Sequence, residues 1–240
     1  TEPVQPLENP MKTYLALALA ASLAVGFTAT TLAQDTGNKQ GERPAKAPRP
    51  ERPARDGGKG DAKAGKAAAA KIGEAAPNFT LKTTDGKDWS LTDAKGKVVV
   101  LQWVNPLCPV CQRVMSDGTV ANALKGAKEQ YPDVVYVAIN SSASRMASLD
   151  ATAKYLKDNN IEIPALLDAD GAVGKMYGAR TTPHCYVIDA NGTLVYQGAI
   201  DDNQSGGGKT NYVVNALAQL KKGEKVSPSE TKPYGCSVKY

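Results

Sequence analysis

The stretch "KVVVLQWVNPLCPVCQR", residues 97 to 113, joins an apolar run to a pair of cysteines. From Val98 to Val104 every position but Gln102 is apolar, the pattern of a central strand covered on both faces. The strand is expected to end at Asn105-Pro106. Pro109 suits the first turn of a helix, where its missing N–H costs nothing. Cys108 therefore falls where a strand ends and a helix begins, the place at which open α/β sheets carry their active groups. A thiol there sees unpaired N–H groups and the positive end of the helix dipole, both of which favour thiolate. Its pKa should fall from about 8.5 to near 7 or lower. Cys108 is thus the candidate nucleophile. Cys111, one turn on, is placed to attack a mixed disulfide formed at Cys108.

Outward from this stretch the pattern is regular. Upstream, "NFTLKTTDGKDWSL" (78–91) reads as a hairpin about the Asp85-Gly86 turn. Downstream, helical pattern runs through "VCQRVM", breaks near Asp117-Gly118 and resumes through "ANALKGAKEQY" to Pro132. A second buried strand spans 134–140, followed by a polar loop and the helix "SLDATAKYLKDNN". Then come a short strand "PALLD", a short helix "GAVGKMYGA", two strands "HCYVID" and "TLVYQG" joined at Asn191-Gly192, and a last helix over about 211–222. Strands alternating with helices and closing in an antiparallel hairpin argue for an α/β fold, a mixed central sheet flanked by helices with an added N-terminal β-hairpin. Trp103 and Tyr186 read as core.

The first 73 residues have a different character. Residues 1–10 precede the first methionine and are an unexplained leader. Residues 11–33 carry Lys12, an apolar run from Tyr14 to about Phe27 and the small-residue ending Thr31-Leu32-Ala33, the anatomy of a secretory signal cleaved after Ala33. The apolar run is shorter than the roughly 20 residues that span a bilayer. Residues 34–73 are dominated by Ala, Gly, Pro, Lys and Arg, with ten Lys/Arg against five Asp/Glu, which matches the formal +5 of the whole chain. Such a composition predicts a disordered basic linker. With no interleaved aromatics to stack on bases it does not read as a nucleic-acid binder. The expected place is the periplasm or cell envelope, peripheral to a membrane at most, with residues 74–240 as the folded domain.

The four cysteines, Cys108, Cys111, Cys185 and Cys236, are too few for a disulfide scaffold and point to chemistry. Zinc needs four ligands or three and a water, and the chain has no second CxxC and only one histidine, His184. A copper site using both thiolates and His184 is the remaining metal alternative, because soft ligands suit Cu(I). The expectation is no cofactor. Cys185 is expected to point into the core. Cys236, in the exposed-looking "YGCSVKY" end, would pair with Cys185 or resolve Cys108.

The order of elements, "WVNPLCPVC", "TTPHCYVIDANG" and the closing "TKPYGCSVKY" resemble the exported thioredoxin-like redoxins, grouped with the alkyl hydroperoxide reductase/thiol-specific antioxidant (AhpC/TSA) family within the thioredoxin superfamily. The resemblance covers about residues 74–240. It implies a thioredoxin-like fold, a nucleophile at Cys108, a resolving role at Cys111, and a cis Pro183 whose neighbouring backbone pairs with a bound substrate strand. The implied activity is thiol-disulfide oxidoreduction on protein or small-molecule thiols and disulfides. Many relatives carry an apolar residue at the position of Cys111, so the second thiol favours dithiol chemistry. A buried carboxylate expected six residues before the first cysteine is replaced by Gln102, which does not titrate. The competing implication is a thiol peroxidase with antioxidant activity, in which Cys111 would meet peroxide with the help of Arg180. Its motif fails at Val104 and Cys108, which stand where a proline and a hydroxyl are expected. His184, beside Pro183, is expected either to tune a thiolate or to face solvent.

Overall fold

The computed structural model describes residues 69–142 and 148–240. The leader, the signal-like segment and the linker up to residue 68 lie outside the described residues, as does the part of the polar loop at 143–147.

In chain order the elements are β1 (Thr80–Thr83), β2 (Asp88–Ser90), a short 3-10 turn (Leu91–Ala94), β3 (Val99–Trp103), α1 (Pro109–Ser116), α2 (Thr119–Gln130), β4 (Val135–Asn140), α3 (Leu149–Asp158), β5 (Ala165–Leu167), α4 (Ala172–Tyr177), β6 (Thr181–Thr182), β7 (His184–Ile188), β8 (Leu194–Gly198), α5 (Tyr212–Lys221) and β9 (Cys236–Ser237). Local chemistry sets several boundaries. Gly118, at φ +82, separates α1 from α2, a left-handed conformation that glycine reaches without a Cβ penalty. Asn211 caps α5 by accepting from the Val214 N–H, and Ser148 caps α3 by accepting from the Ala151 N–H.

Among the described residues the main sheet has seven strands in the order β2-β1-β5-β4-β3-β7-β8. β3 pairs in parallel with β4 and β4 with β5, while β7 lies antiparallel to β3 and β8 antiparallel to β7. The N-terminal hairpin extends this sheet through an antiparallel pairing of β1 with β5. The fold is the mixed α/β sheet that strand and helix alternation predicts.

β3 is buried at every position because both of its faces are covered. Val100 and Val104 face a core shared with Ala138, Cys185, Val114, Val120, Leu156 and Leu217, beneath α1, α2, α3 and α5. Val99, Leu101 and Trp103 face a second core with Phe79, Ile139, Tyr177 and Tyr186, beneath α4 and the 3-10 turn. The packed region begins earlier than residue 74. Ala70 and Ile72 pack on the second core, and the Ala70 and Gly73 amides donate to Met176 and Leu194. A lone isoleucine in an alanine-rich run carries too little periodicity to mark that start.

The other departure is at the C-terminal end, which looks exposed in sequence. After α5 the chain folds back. Val226 is buried, the Gln197 N–H donates to the Ser229 carbonyl, and β9 pairs antiparallel with β6 in a separate two-stranded ribbon. Two-residue strands leave no periodic trace.

Candidate active site

The loop after β3 is shaped by Asn105. Its side-chain oxygen accepts from the Leu107 N–H at 2.9 Å, and its carbonyl accepts from the Cys108 N–H at 3.0 Å, an Asx turn that reverses the chain before the helix. Cys108 is the N-cap of α1, in extended conformation, with Pro109 following, and the Gln112 N–H closes the first turn on the Cys108 carbonyl at 2.9 Å. Cys108 thus sits at a helix N-terminus, as the spacing predicts. On the other side stands the Thr182–Pro183 peptide, which is cis. In its protonated form Cys108 donates to the Thr182 carbonyl at 3.1 Å.

Two further cysteines lie beside Cys108. Cys111 is one turn on in the helix that Cys108 caps, and Cys236 lies opposite Thr182, the residue whose carbonyl faces the Cys108 thiol. All three are free. Their acidities differ. Donation from the Cys111 thiol lowers the Cys108 pKa to about 4, against the opposing effect of burial, with further help from the Cys236 thiol, the Cys111 amide and Thr182. Burial first, and then the adjacent Cys108, push Cys111 well above the ordinary thiol range. Cys236 is also raised, by desolvation and by Cys108. One thiolate is therefore held among two protonated thiols, the division of labour that nucleophile and resolving thiol require.

Access differs as well. Cys108 is 2% exposed and Cys111 0%, whereas Cys236 is half-buried and Leu107, next to Cys108, is 50% exposed. Tyr155 from α3 donates to the Cys111 carbonyl at 2.6 Å and fixes the first turn of α1 from below.

The remaining sequence candidates fall in different places. Gln102 is buried in β3, its Oε1 accepting from the Tyr136 hydroxyl at 2.7 Å, and its Nε2 has no partner among the described residues. Cys185 lies opposite Gln102 across the β3–β7 ladder, in the first core, and burial raises its pKa. It is not a partner for Cys236. Pro183 is buried at the site. Arg180 is exposed, with no ion pair among the described residues. His184 is buried rather than solvent-facing. Its Nδ1 accepts from the Arg180 N–H at 3.3 Å and lies 3.2 Å from the Tyr186 hydroxyl, and burial, aided by the charge of Arg180, depresses its pKa to about 3. Among the described residues no group of three His, Cys, Asp or Glu side chains is arranged to hold a metal.

Sequence reasoning missed Thr182, Tyr155, Tyr234 and Arg113. Arg113, two residues past Cys111, donates to the Tyr234 hydroxyl and to the Asn203 carbonyl, each at 3.2 Å, and pairs with Asp117 at 2.8 Å. Tyr234 in turn donates to Asp201. Only Thr182 carried a usable signal, as the residue before Pro183.

Residues 72–197 match the model of the AhpC/TSA family. The chain belongs to the AhpC/TSA family. Two relatives of this AhpC/TSA chain come from Bacillus subtilis (strain 168). It is 32% identical to thiol-disulfide oxidoreductase ResA over 123 residues, 51% of this chain and 64% of that protein. It is 29% identical to thioredoxin-like protein YneN, also over 123 residues, covering 51% of this chain and 68% of that protein. The chain thus spans somewhat less than two thirds of ResA. Two solved structures cover more of it. An uncharacterized conserved protein from Geobacillus kaustophilus has a TM-score of 0.63 at 27% identity, covering 72% of this chain and 94% of that one. A hypothetical protein from Sinorhizobium meliloti 1021 has a TM-score of 0.61 at 25% identity, covering 72% and 97%. The AhpC/TSA match includes Cys108, Cys111 and Pro183 and ends before Cys236.

Proposed function

We propose that this protein is a thiol-disulfide oxidoreductase in which Cys108 attacks and Cys111 resolves. The observation that carries the reading is the placement of Cys108 as N-cap of α1 against the cis Thr182–Pro183 peptide, with Cys111 one turn on in the same helix; the lowered Cys108 pKa and the raised Cys111 pKa agree with it. The Cys108 thiolate opens a substrate disulfide and forms a mixed disulfide. A second thiol then attacks the Cys108 sulfur, and the substrate leaves as two thiols. No organic cofactor enters the cycle. Relatives named thiol-disulfide oxidoreductase and thioredoxin-like protein support the class of chemistry.

The peroxidase alternative requires a peroxide to meet Cys111. That sulfur is fully buried and held protonated, both of which oppose attack on peroxide. Export to the periplasm or cell envelope remains part of the proposal and is supported by the character of residues 11–33. No helix among the described residues is long and apolar enough to cross a membrane.

The test treats the full chain, reduced, with a protein disulfide and separately with hydrogen peroxide, quenches by alkylation and maps the cysteines by mass spectrometry. The expected result is loss of the substrate disulfide together with loss of alkylatable Cys108. Sulfenic acid at Cys111 with the protein disulfide left intact would instead make the chain a peroxidase.

A further inference from the structure

The third thiol at the site is not used by the two-cysteine cycle, and the fold goes to some length to hold it there. β9 is only two residues long, yet its register is definite. Thr182 lies opposite Cys236 and Thr181 opposite Ser237. The Thr182 hydroxyl donates to the Cys236 carbonyl at 3.4 Å, while the Thr182 carbonyl is the acceptor for Cys108. One residue therefore touches both cysteines. Gly235 permits the approach. Its φ is +114, and a Cβ there would run into the Thr182 carbonyl oxygen.

The segment is pinned on both flanks. Before Cys236, Tyr234 is held by Asp201 and Arg113, and the Arg113 guanidinium lies 5.8 Å from the centre of its ring. Arg113 belongs to the same helix that Cys108 caps, so the helix bearing the nucleophile itself grips the C-terminal segment. After Cys236, the Val238 N–H donates to the Arg180 carbonyl at 3.0 Å and the Tyr240 hydroxyl to the Ala179 carbonyl at 2.5 Å. A thiol on a loose tail would meet Cys108 rarely. One held within reach reacts as an intramolecular group, without the entropic cost of an encounter.

Resting on the oxidoreductase reading above, we infer that Cys236 is a second resolving cysteine, which closes a disulfide with Cys108 from the solvent side of the site. The Cys108 thiolate attacks a substrate disulfide, forms the Cys108–substrate bond and expels the first substrate thiolate. The Cys236 sulfur then attacks the Cys108 sulfur. The Cys108–Cys236 bond forms, the bond to substrate breaks, and the proton lost by Cys236 leaves with the second substrate thiol. Two electrons pass to the substrate, and Cys108 and Cys236 are the groups oxidised. Cys111 subsequently attacks Cys108 and returns Cys236 to the thiol, an exchange with no net redox change. Burial assigns this order. Cys236 is half-buried while Cys111 is sealed in the interior, so of the two thiols Cys236 is the one open to a substrate that arrives from solvent.

The test uses the full chain, reduced, with hydroxyethyl disulfide as probe, acid quench, alkylation and peptide mapping, on wild type, C111A and C236A. In C111A the expected product is the Cys108–Cys236 disulfide, with loss of both alkylatable thiols and no lasting mixed disulfide. In wild type the same disulfide appears ahead of Cys108–Cys111. The inference is overturned alone if C111A stops at the mixed disulfide with Cys236 fully alkylatable while C236A still forms Cys108–Cys111. If Cys108 takes up no probe in any of the three proteins, the oxidoreductase reading falls as well. Should C111A fail to fold, the wild-type time course decides. Absence of the Cys108–Cys236 disulfide at every time point refutes the proposal.

Discussion

Replacing Cys111 by alanine removes the group that does most to ionise Cys108. Donation from the Cys111 thiol is the largest influence on the nucleophile, ahead of the Cys236 thiol, the Cys111 amide and Thr182. A hydrogen bond to a charged group contributes about 1.5–3 kcal/mol, and one pKa unit corresponds to about 1.36 kcal/mol. Losing the donor disfavours the charged form, so the Cys108 pKa should climb by about 1–2 units from its value near 4. Serine at 111 keeps a donor and should raise it less. The assay is the rate of iodoacetamide alkylation of the reduced full chain against pH, with Cys108 read by peptide mass so that the other thiols do not contribute. The same shift is linked to stability. A folded-state pKa below the unfolded one stabilises the fold fully above the unfolded value of about 8.5, and the contribution disappears as pH falls through the folded pKa. The stability of reduced wild type relative to C108A should therefore rise from about pH 4 toward pH 8.5, and the rise should begin at higher pH in the C111A background. An alkylation midpoint that is the same with and without Cys111, or a wild-type midpoint near 8.5, refutes the electrostatic account of the site.

Two further predictions follow from packing. Trp103 is fully buried, with ring centres 5.0 Å from Tyr186 and 5.6 Å from Tyr177, and its Nε1–H donates to Ser141 at 2.8 Å. Trp103→Ala should cost about 3–5 kcal/mol, whereas Trp103→Phe, which loses chiefly the hydrogen bond, should cost about 1–2 kcal/mol. Chemical denaturation measures both, and a Trp103→Phe variant as stable as wild type would show that the indole N–H is irrelevant. Gly235→Ala places a methyl against the Thr182 carbonyl at a φ that side chains disfavour. With about 1–3 kcal/mol of strain, β9 should open more often and Cys236 should be alkylated at least about fivefold faster at fixed pH. An unchanged rate would mean that β9 does not control access.

From residues alone, the alternation of strands and helices, the burial of "VVVLQW" and the position of Cys108 before Pro109 could be read, because periodicity, capping and proline chemistry are local properties. The mixed sheet and the closing hairpin at Asn191-Gly192 follow from the same signals. His184 shows where local reading stops. A histidine after a proline at a strand start reads equally well as buried or exposed, and only the covering by Tyr186 and the Arg180 backbone decided that it is buried and neutral. The C-terminal segment shows it more strongly. "PYGCSVKY" has no repeat and no length, so its short pairing with Thr181–Thr182 is invisible along the chain. Sequence by itself determined that two thiols share the first turn of a helix. Only the tertiary structure decided that a third joins them, because contacts between residues 108, 182 and 236 arise from long-range packing that no local pattern encodes.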